Sequence, residues 1–259
     1  MQKRNFLLIF SFFILNSIWC ENRSTGITFL SHNEKQEDRT TLYLNKEFLL
    51  PNGFILDFDI KLREEVYNFG YIFRIIANDN TSFDLISNFS GNERMLSFVE
   101  GNAIYKSFPK RALDNYHWDK WVHVQLKFSS QKIIVEFNNE KLVIDCKYKD
   151  LSKFYFYFGG SKHTKFSSSD VPPMSIRNIR ISDADNQPVA YWPLREHLEN
   201  TVYDSLHHLK ATVSNPIWNI DRHLKWSFKK EFSLPEFSQI AYNESENSVY
   251  FAQGTLLLK

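Results

Sequence analysis

The stretch KWVHVQLKFSSQKIIVEFNNEKLVID, residues 120–145, decides the fold class. Val122, Val124, Leu126 and Phe128 alternate with His123, Gln125 and Lys127. After Ser129-Ser130, Ile133, Val135 and Phe137 alternate with Ile134 and Glu136, and after Asn138-Asn139, Leu142 and Ile144 alternate with Val143 and Asp145. Successive side chains of a strand point to opposite faces, so each run offers one face to a core and the other outward. Three such runs joined by two short polar turns make an antiparallel meander, a part of a two-sheet sandwich.

Working outward, Phe54, Leu56, Phe58, Ile60 and Leu62 alternate with Asp57, Asp59 and Lys61, a half-buried strand. Strands are also expected at Tyr71–Ala77, Ser82–Asn88, Met95–Glu100, Asn102–Phe108 and around Phe154, Phe156 and Phe158, each bounded by Asn, Asp, Gly or Ser. In Met174–Asp183 the pattern slips: Ile176 lies on the opposite parity from Ile179 and Ile181, which a β-bulge reconciles. Helix is expected only at His197–His208, and 196–225 otherwise shows few clear strands. Pro188–Leu194 reads as a closing strand. Phe237–Asn243 and Ser248–Gln253 read as a hairpin, with Thr255–Lys259 as a third strand. The pattern predicts an all-β, antiparallel two-sheet β-sandwich.

Composition agrees. The chain holds 24 Phe and only 8 Gly, so turns at Asn78-Asp79-Asn80 and Asn138-Asn139 fall to asparagine, which tolerates positive φ. Lys3 and Arg4 followed by the apolar FLLIFSFFIL (6–15) read as a secretory signal peptide over residues 1–20, too short to span a bilayer. No later segment is long and apolar enough to cross a membrane as a helix. Cleavage after Cys20 is favoured over a lipid anchor on Cys20, since Trp19 is bulkier than the residue that normally precedes such an anchor. Secreted, periplasmic or envelope-associated locations all follow. Removing the leader takes the formal charge from +1 to −1, so nucleic acid is not an expected partner. Cys146 is then the one remaining cysteine, leaving no internal disulfide to form. Asn-X-Ser/Thr sequons stand at Asn22, Asn80, Asn88 and Asn243.

The segments Trp121-Val122-His123-Val124, Phe158-Gly159-Gly160, Met174–Ile181 and Tyr191-Trp192-Pro193-Leu194 with Asp204-Ser205 together resemble the concanavalin A-like, laminin-G-like jelly rolls. The resemblance covers roughly residues 25–220 and sets the domains at 1–20 (leader), 21–225 (sandwich) and 226–259. The last segment, with Ile240–Asn243 and Val249–Phe251, resembles the opening of a kelch-like β-propeller, an incomplete blade. The chain would then be the front part of a longer protein.

The resemblance also suggests chemistry. Relatives that cleave glycosides carry Glu-X-Asp-X-X-Glu on a strand; here Asp57 and Asp59 stand without a glutamate and share their face with Lys61, so they are expected to form a solvated strand face. No Ser-His-Asp order, His-Glu-X-X-His or phosphate-cradling loop is present, and no enzyme is expected. The family's calcium implies loop acids, for which Asp79, Asp84, Asp170 and Asp185 are at hand without a defining spacing. The pair His207-His208 is expected to be ordinary loop histidines. Ring stacking on sugars points to Tyr116, His117 and Trp118 in the polar loop 114–120, while Trp118 closing over the sandwich end as a lid is the competing role. Trp121 is expected to be structural. The expected role is an exported, non-catalytic recognition module for a carbohydrate or protein partner, acting through rim loops. Its alternative is the non-catalytic front of a glycan-active enzyme or membrane sensor.

Overall fold

The computed structural model describes residues 25–219, apart from 66, 91–92, 102, 115–119, 146–149 and 196–199, and the backbone of 238–243, 248–253 and 256–258. The strands in chain order are β1 (Ile27–Thr28), β2 (Thr41–Tyr43), β3 (Phe48–Leu49), β4 (Phe54–Leu62), β5 (Gly70–Ala77), β6 (Thr81–Ser90), β7 (Glu93–Glu100) and β8 (Ala103–Ser107). There follow β9 (Val122–Phe128), β10 (Lys132–Phe137), β11 (Glu140–Asp145), β12 (Lys153–Gly159), β13 (Met174–Asp183), β14 (Pro188–Trp192), β15 (Thr201–Tyr203), β16 (Lys210–Ser214) and β17 (Ile217–Trp218). The tail adds β18 (Ser238–Asn243), β19 (Ser248–Gln253) and β20 (Leu256–Leu258). Gln36–Asp38 forms a single 3-10 turn and Arg111–Asp114 a single helical turn.

Two antiparallel sheets face one another. The first runs β11-β10-β9-β4-β13-β1-β17, with β14 also paired to β13; the second runs β15-β16-β2-β12-β5-β6-β7-β8, with β3 also paired to β12. The meander pairs in the register its alternation predicts, Phe128 opposite Ile133 and Val135 opposite Leu142, with Val124, Leu126, Ile133, Val135, Phe137, Leu142 and Ile144 all buried. Asn78, Asp79, Asn138 and Asn139 adopt positive φ, as the turns require.

The slipped pattern in β13 has the predicted cause. The β13–β4 register shifts between Arg177 and Arg180, Asn178 takes φ 55°, and Ile176, Ile179 and Ile181 are all fully buried despite their parity. Elsewhere the structure corrects the reading. Where helix was expected in 197–208, Thr201–Tyr203 is a strand paired to β16, and 210–214 is a strand as well. So short a strand has no visible period; its neighbours impose it.

Between the sheets lies the phenylalanine core. Phe54 and Phe128 of the first sheet stack at 5.2 Å, and Phe154 and Phe156 of the second meet Phe54 edge-on at 4.8 and 5.2 Å. Phe58 meets Phe158 at 5.3 Å in the same way. Edge-to-face contact sets the positive ring edge against the negative face, adding to the gain from burial. β18, β19 and β20 form a separate three-stranded antiparallel sheet. Residues 1–20, Cys146 and the boundary placed at 225 lie outside the described residues, and among those described no helix is long and apolar enough to cross a membrane.

Phe128 touches Phe54, Phe83 and Phe154. Phe128→Ala should cost about 3–5 kcal/mol of stability, read as a lower urea midpoint, whereas exposed Phe69→Ala should leave the midpoint nearly unchanged.

Candidate groove at the sandwich rim

The second sheet keeps its phenylalanines inward, so its outer face carries the opposite set. Across it, Thr212, Tyr43, Tyr157, Arg74 and Asp84 stand in one pairing row. Arg74 and Asp84 are 5 % and 0 % exposed. The guanidinium grips both carboxylate oxygens, each at 2.9 Å, and donates a third bond to the Phe166 carbonyl at 2.8 Å. The Arg74 fork lies 4.1 Å over the Tyr71 ring. Burial pushes the Asp84 carboxyl upward while the bonds from Arg74 oppose that rise. Asp84 is therefore no loop acid, as read from the sequence, but half of a buried ion pair.

Through Phe166 this pair clips the loop 161–170 onto the sheet. The loop is closed by reciprocal backbone bonds between Ser161 and Ser168 at 2.7 and 2.9 Å, and Tyr71 N–H donates to the Asp170 carbonyl at 3.0 Å. Gly70 admits it: a Cβ there would lie 2.5 Å from Pro172 N, so only glycine permits this approach. Gly159 serves likewise, with φ 70° and the Thr40 carbonyl 2.7 Å from its would-be Cβ.

Between this loop and the segment 36–39 opens a groove of about 790 Å³. Thr41, Ser214 and Tyr71 form its floor at one end of the sheet, and Ser161 and Ser167–Asp170 form a wall. Its charges balance: Arg39 and Lys162 against Glu37 and Asp170. Arg39 is also tied down, lying 3.6 Å from Asp170 and donating to the Ser169 carbonyl at 2.9 Å. His32 Nδ1 lies 3.1 Å from Asp170, and the His32 ring 6.3 Å from that of Tyr67. Tyr67 and Phe69, 59 % and 38 % exposed, lie outside the groove's lining, Phe69 next to Tyr71 with ring centroids 6.5 Å apart. Farther along the face the tyrosines are engaged: Tyr43 stacks on Tyr157 at 4.5 Å, and Tyr155 donates to Glu47, which pushes its hydroxyl up to about 12.

The first sheet's outer face is a lattice of side chains. Asp57 and Asp59 flank His123, each with an oxygen 3.3 Å from one of its ring nitrogens. Gln125 also donates to Asp57, and Arg177 and Asn178 donate to Asp59. Tyr191 hydroxyl donates to Asn178, which the bulge brings into place. Burial favours the neutral acids, but bonds from His123 and these neighbours outweigh it and hold both carboxyls below their ordinary range. The two aspartates do share a face with Lys61, yet at 16 % and 21 % side-chain exposure they are bonded rather than solvated. Trp121 is half-buried under Arg177 at 4.3 Å, a packing role.

Of the other sequence candidates, Tyr116, His117 and Trp118 lie outside the described residues. The acids considered for calcium do not converge. Asp84 pairs with Arg74, Asp170 with His32 and Arg39, Asp79 lies beside His163, and Asp185 occupies the turn after β13. Among the described residues no three His, Cys, Asp or Glu side chains gather as metal ligands, so the described acids do not fit the ion the resemblance implies. His208 stacks on Tyr203 at 4.3 Å and His207 N–H donates to Asp204. The groove itself was missed. Its clearest local signal is the run Ser167-Ser168-Ser169, while of the aromatics Tyr67, Phe69 and Tyr71 only Tyr71 lines it.

No protein-family model and no curated protein sequence matches this chain. Solved structures do match. A heptameric SAP-like pentraxin from Limulus polyphemus superposes with TM-score 0.51 at 13 % identity, over 76 % of this chain and 95 % of its own. Tailspike protein 2 from an Escherichia coli O157:H7 bacteriophage gives 0.47 at 9 %, over 66 % of this chain and 26 % of its own. Domains LG4-5 of the mouse laminin alpha1 chain give 0.43 at 15 %, over 67 % and 45 %. The fold is an all-β sandwich of two antiparallel sheets, of the jelly-roll kind. That likeness is one of fold, and it lends no support to the propeller resemblance of residues 226–259.

Asp84→Ala should cost about 3–5 kcal/mol, because it strands the Arg74 charge in a dry site, and should raise protease cleavage within 161–170; joint replacement by Arg74→Met and Asp84→Leu should recover most of the loss in denaturant titration. The bonds from Asp57, then Asp59, push His123 up to about 9. A proton held more tightly in the folded state stabilises fully below the ordinary pKa near 6.5 and is lost as pH rises through 9. The urea midpoint should therefore fall between pH 6.5 and 9, modestly since 59 % of the His123 side chain meets water. His123→Gln should flatten that slope, and an unchanged slope contradicts the assignment.

Proposed function

We propose that this protein is an exported, non-catalytic recognition module that binds carbohydrate in the rim groove. The observation that carries the reading is the groove's lining: serine and threonine hydroxyls on floor and wall, with equal numbers of positive and negative charges. A hydroxyl both donates and accepts, matching the hydroxyls of a sugar, and a few placed polar groups beside an aromatic surface are the usual means of orienting such a ligand. The absence of catalysis is supported by the two carboxylates of β4. A general acid near neutral pH needs a raised pKa, and theirs are lowered by permanent partners. The same module serves equally as the front of a longer glycan-directed protein. Tyr116, His117 and Trp118 are proposed as further ligand-binding residues.

The test is a glycan array probed with the full chain, with and without chelator. Binding to glycans, unaffected by chelator and accompanied by no cleavage of the bound sugar, is expected. Silence across the array turns the reading toward a protein partner, and release of sugar fragments ends the non-catalytic one. Tyr116→Ala with Trp118→Ala should weaken array binding, and unchanged binding removes those residues from the site.

A further inference from the structure

We propose that Tyr67, Phe69 and Tyr71 form a stepped aromatic platform along which a neutral oligosaccharide chain enters the groove. The proposal rests on the carbohydrate reading and adds the class of sugar and the line the chain follows.

Exposure alternates along this segment: Tyr67 is 59 % and Phe69 38 % exposed, Tyr71 is intermediate, and Asn68 and Gly70 are buried. Folding alone favours the reverse, with rings inward and the amide outward. Asn68 remains inside because its side chain bonds the backbone N–H and carbonyl of Glu65. The local structure thus spends its buried polar contacts on holding two rings in water. An extended chain advances about 6.5–7 Å over two residues, and the Phe69 and Tyr71 centroids lie 6.5 Å apart with their planes inclined at 69°, so the two rings turn differently oriented surfaces to a passing chain. Rings at this interval meet successive parts of a chain rather than a single compact ligand.

The platform is fixed and continuous with the groove. Tyr71 belongs to both, held beneath the Arg74 guanidinium and bonded through its N–H to Asp170. Gly70 lies against Val171 and Pro172. At the outer end His32 links Tyr67 to Asp170. Such pre-ordering lowers the cost of binding. The apolar C–H face of a pyranose suits a ring face, and its hydroxyl edge suits the serines. The balanced charge of the groove selects against sulfated or carboxylated chains, for which a cluster of unpaired cations would be needed. A protein anchor would instead sit in a desolvated pocket ringed by apolar contacts, whereas these rings adjoin a hydroxyl-lined channel.

Calorimetry on the full chain tests this with maltohexaose, cellohexaose and chitohexaose, their disaccharides, and a heparin hexasaccharide. At least one neutral hexasaccharide should bind, at least tenfold more tightly than its disaccharide and than the heparin probe. Tyr67→Ala with Phe69→Ala should weaken hexasaccharide binding about tenfold, leave the disaccharide unaffected and leave the melting temperature nearly unchanged, since neither ring is in the core. Hexasaccharide binding that survives the double variant overturns the platform while the carbohydrate reading stands. Failure of all three neutral hexasaccharides beside a glycan-positive array, or preference for heparin, overturns the neutral-chain proposal. Failure beside a silent array removes the carbohydrate reading and the platform together.

Discussion

Rings set edge to face across a dry layer hold this molecule together. Phe54, Phe58 and Phe128 from one sheet and Phe154, Phe156 and Phe158 from the other are all essentially inaccessible to water. Each sheet has only two faces, and the rings occupy the inner one throughout. Everything polar, whether meant for stability or for contact, must be built on the outer faces or at the ends of the strands.

The two outer faces meet that constraint differently. On the first sheet, side chains from three adjacent strands bond one another: Asp57 and Asp59 from β4, His123 and Gln125 from β9, Arg177 and Asn178 from β13. Such partly wet pairs contribute little individually, but together they hold both carboxyls below their ordinary range. On the second sheet, chain rather than side chain provides the cover. The loop 161–170 lies over Arg74 and Asp84, whose charges tolerate burial because each guanidinium nitrogen donates a bond, two to the carboxylate and one to the loop. The same contact that offsets the cost of burying a guanidinium also fixes the wall of the groove.

How much of this could be read from the residues differs by element. Alternation was explicit in β4 and in the β9–β11 meander, because a long strand with one buried face must show period two. The parity slip at Ile176 even announced the bulge. β15 at Thr201–Tyr203 and β1, β3 and β17 could not be read, since two or three residues carry no period and take their conformation from pairing. The hairpin turning at Asn78-Asp79-Asn80 already sets Asp84 opposite Arg74; what no local pattern reveals is the distant loop 161–170 that buries the pair. The groove draws on residues near 37, 71, 161–170 and 214, which no window of sequence joins.

Patterning by itself therefore determined the class of fold, the inward set of phenylalanines and the asparagine turns, because each depends on neighbours one to four positions away. The bulge's role in delivering Asn178 to Asp59, the burial of Arg74 with Asp84 and the cavity between two distant loops were decided only in three dimensions. Those features are set by which strand lies beside which, and the chain meets that choice only once the sheets have closed on one another.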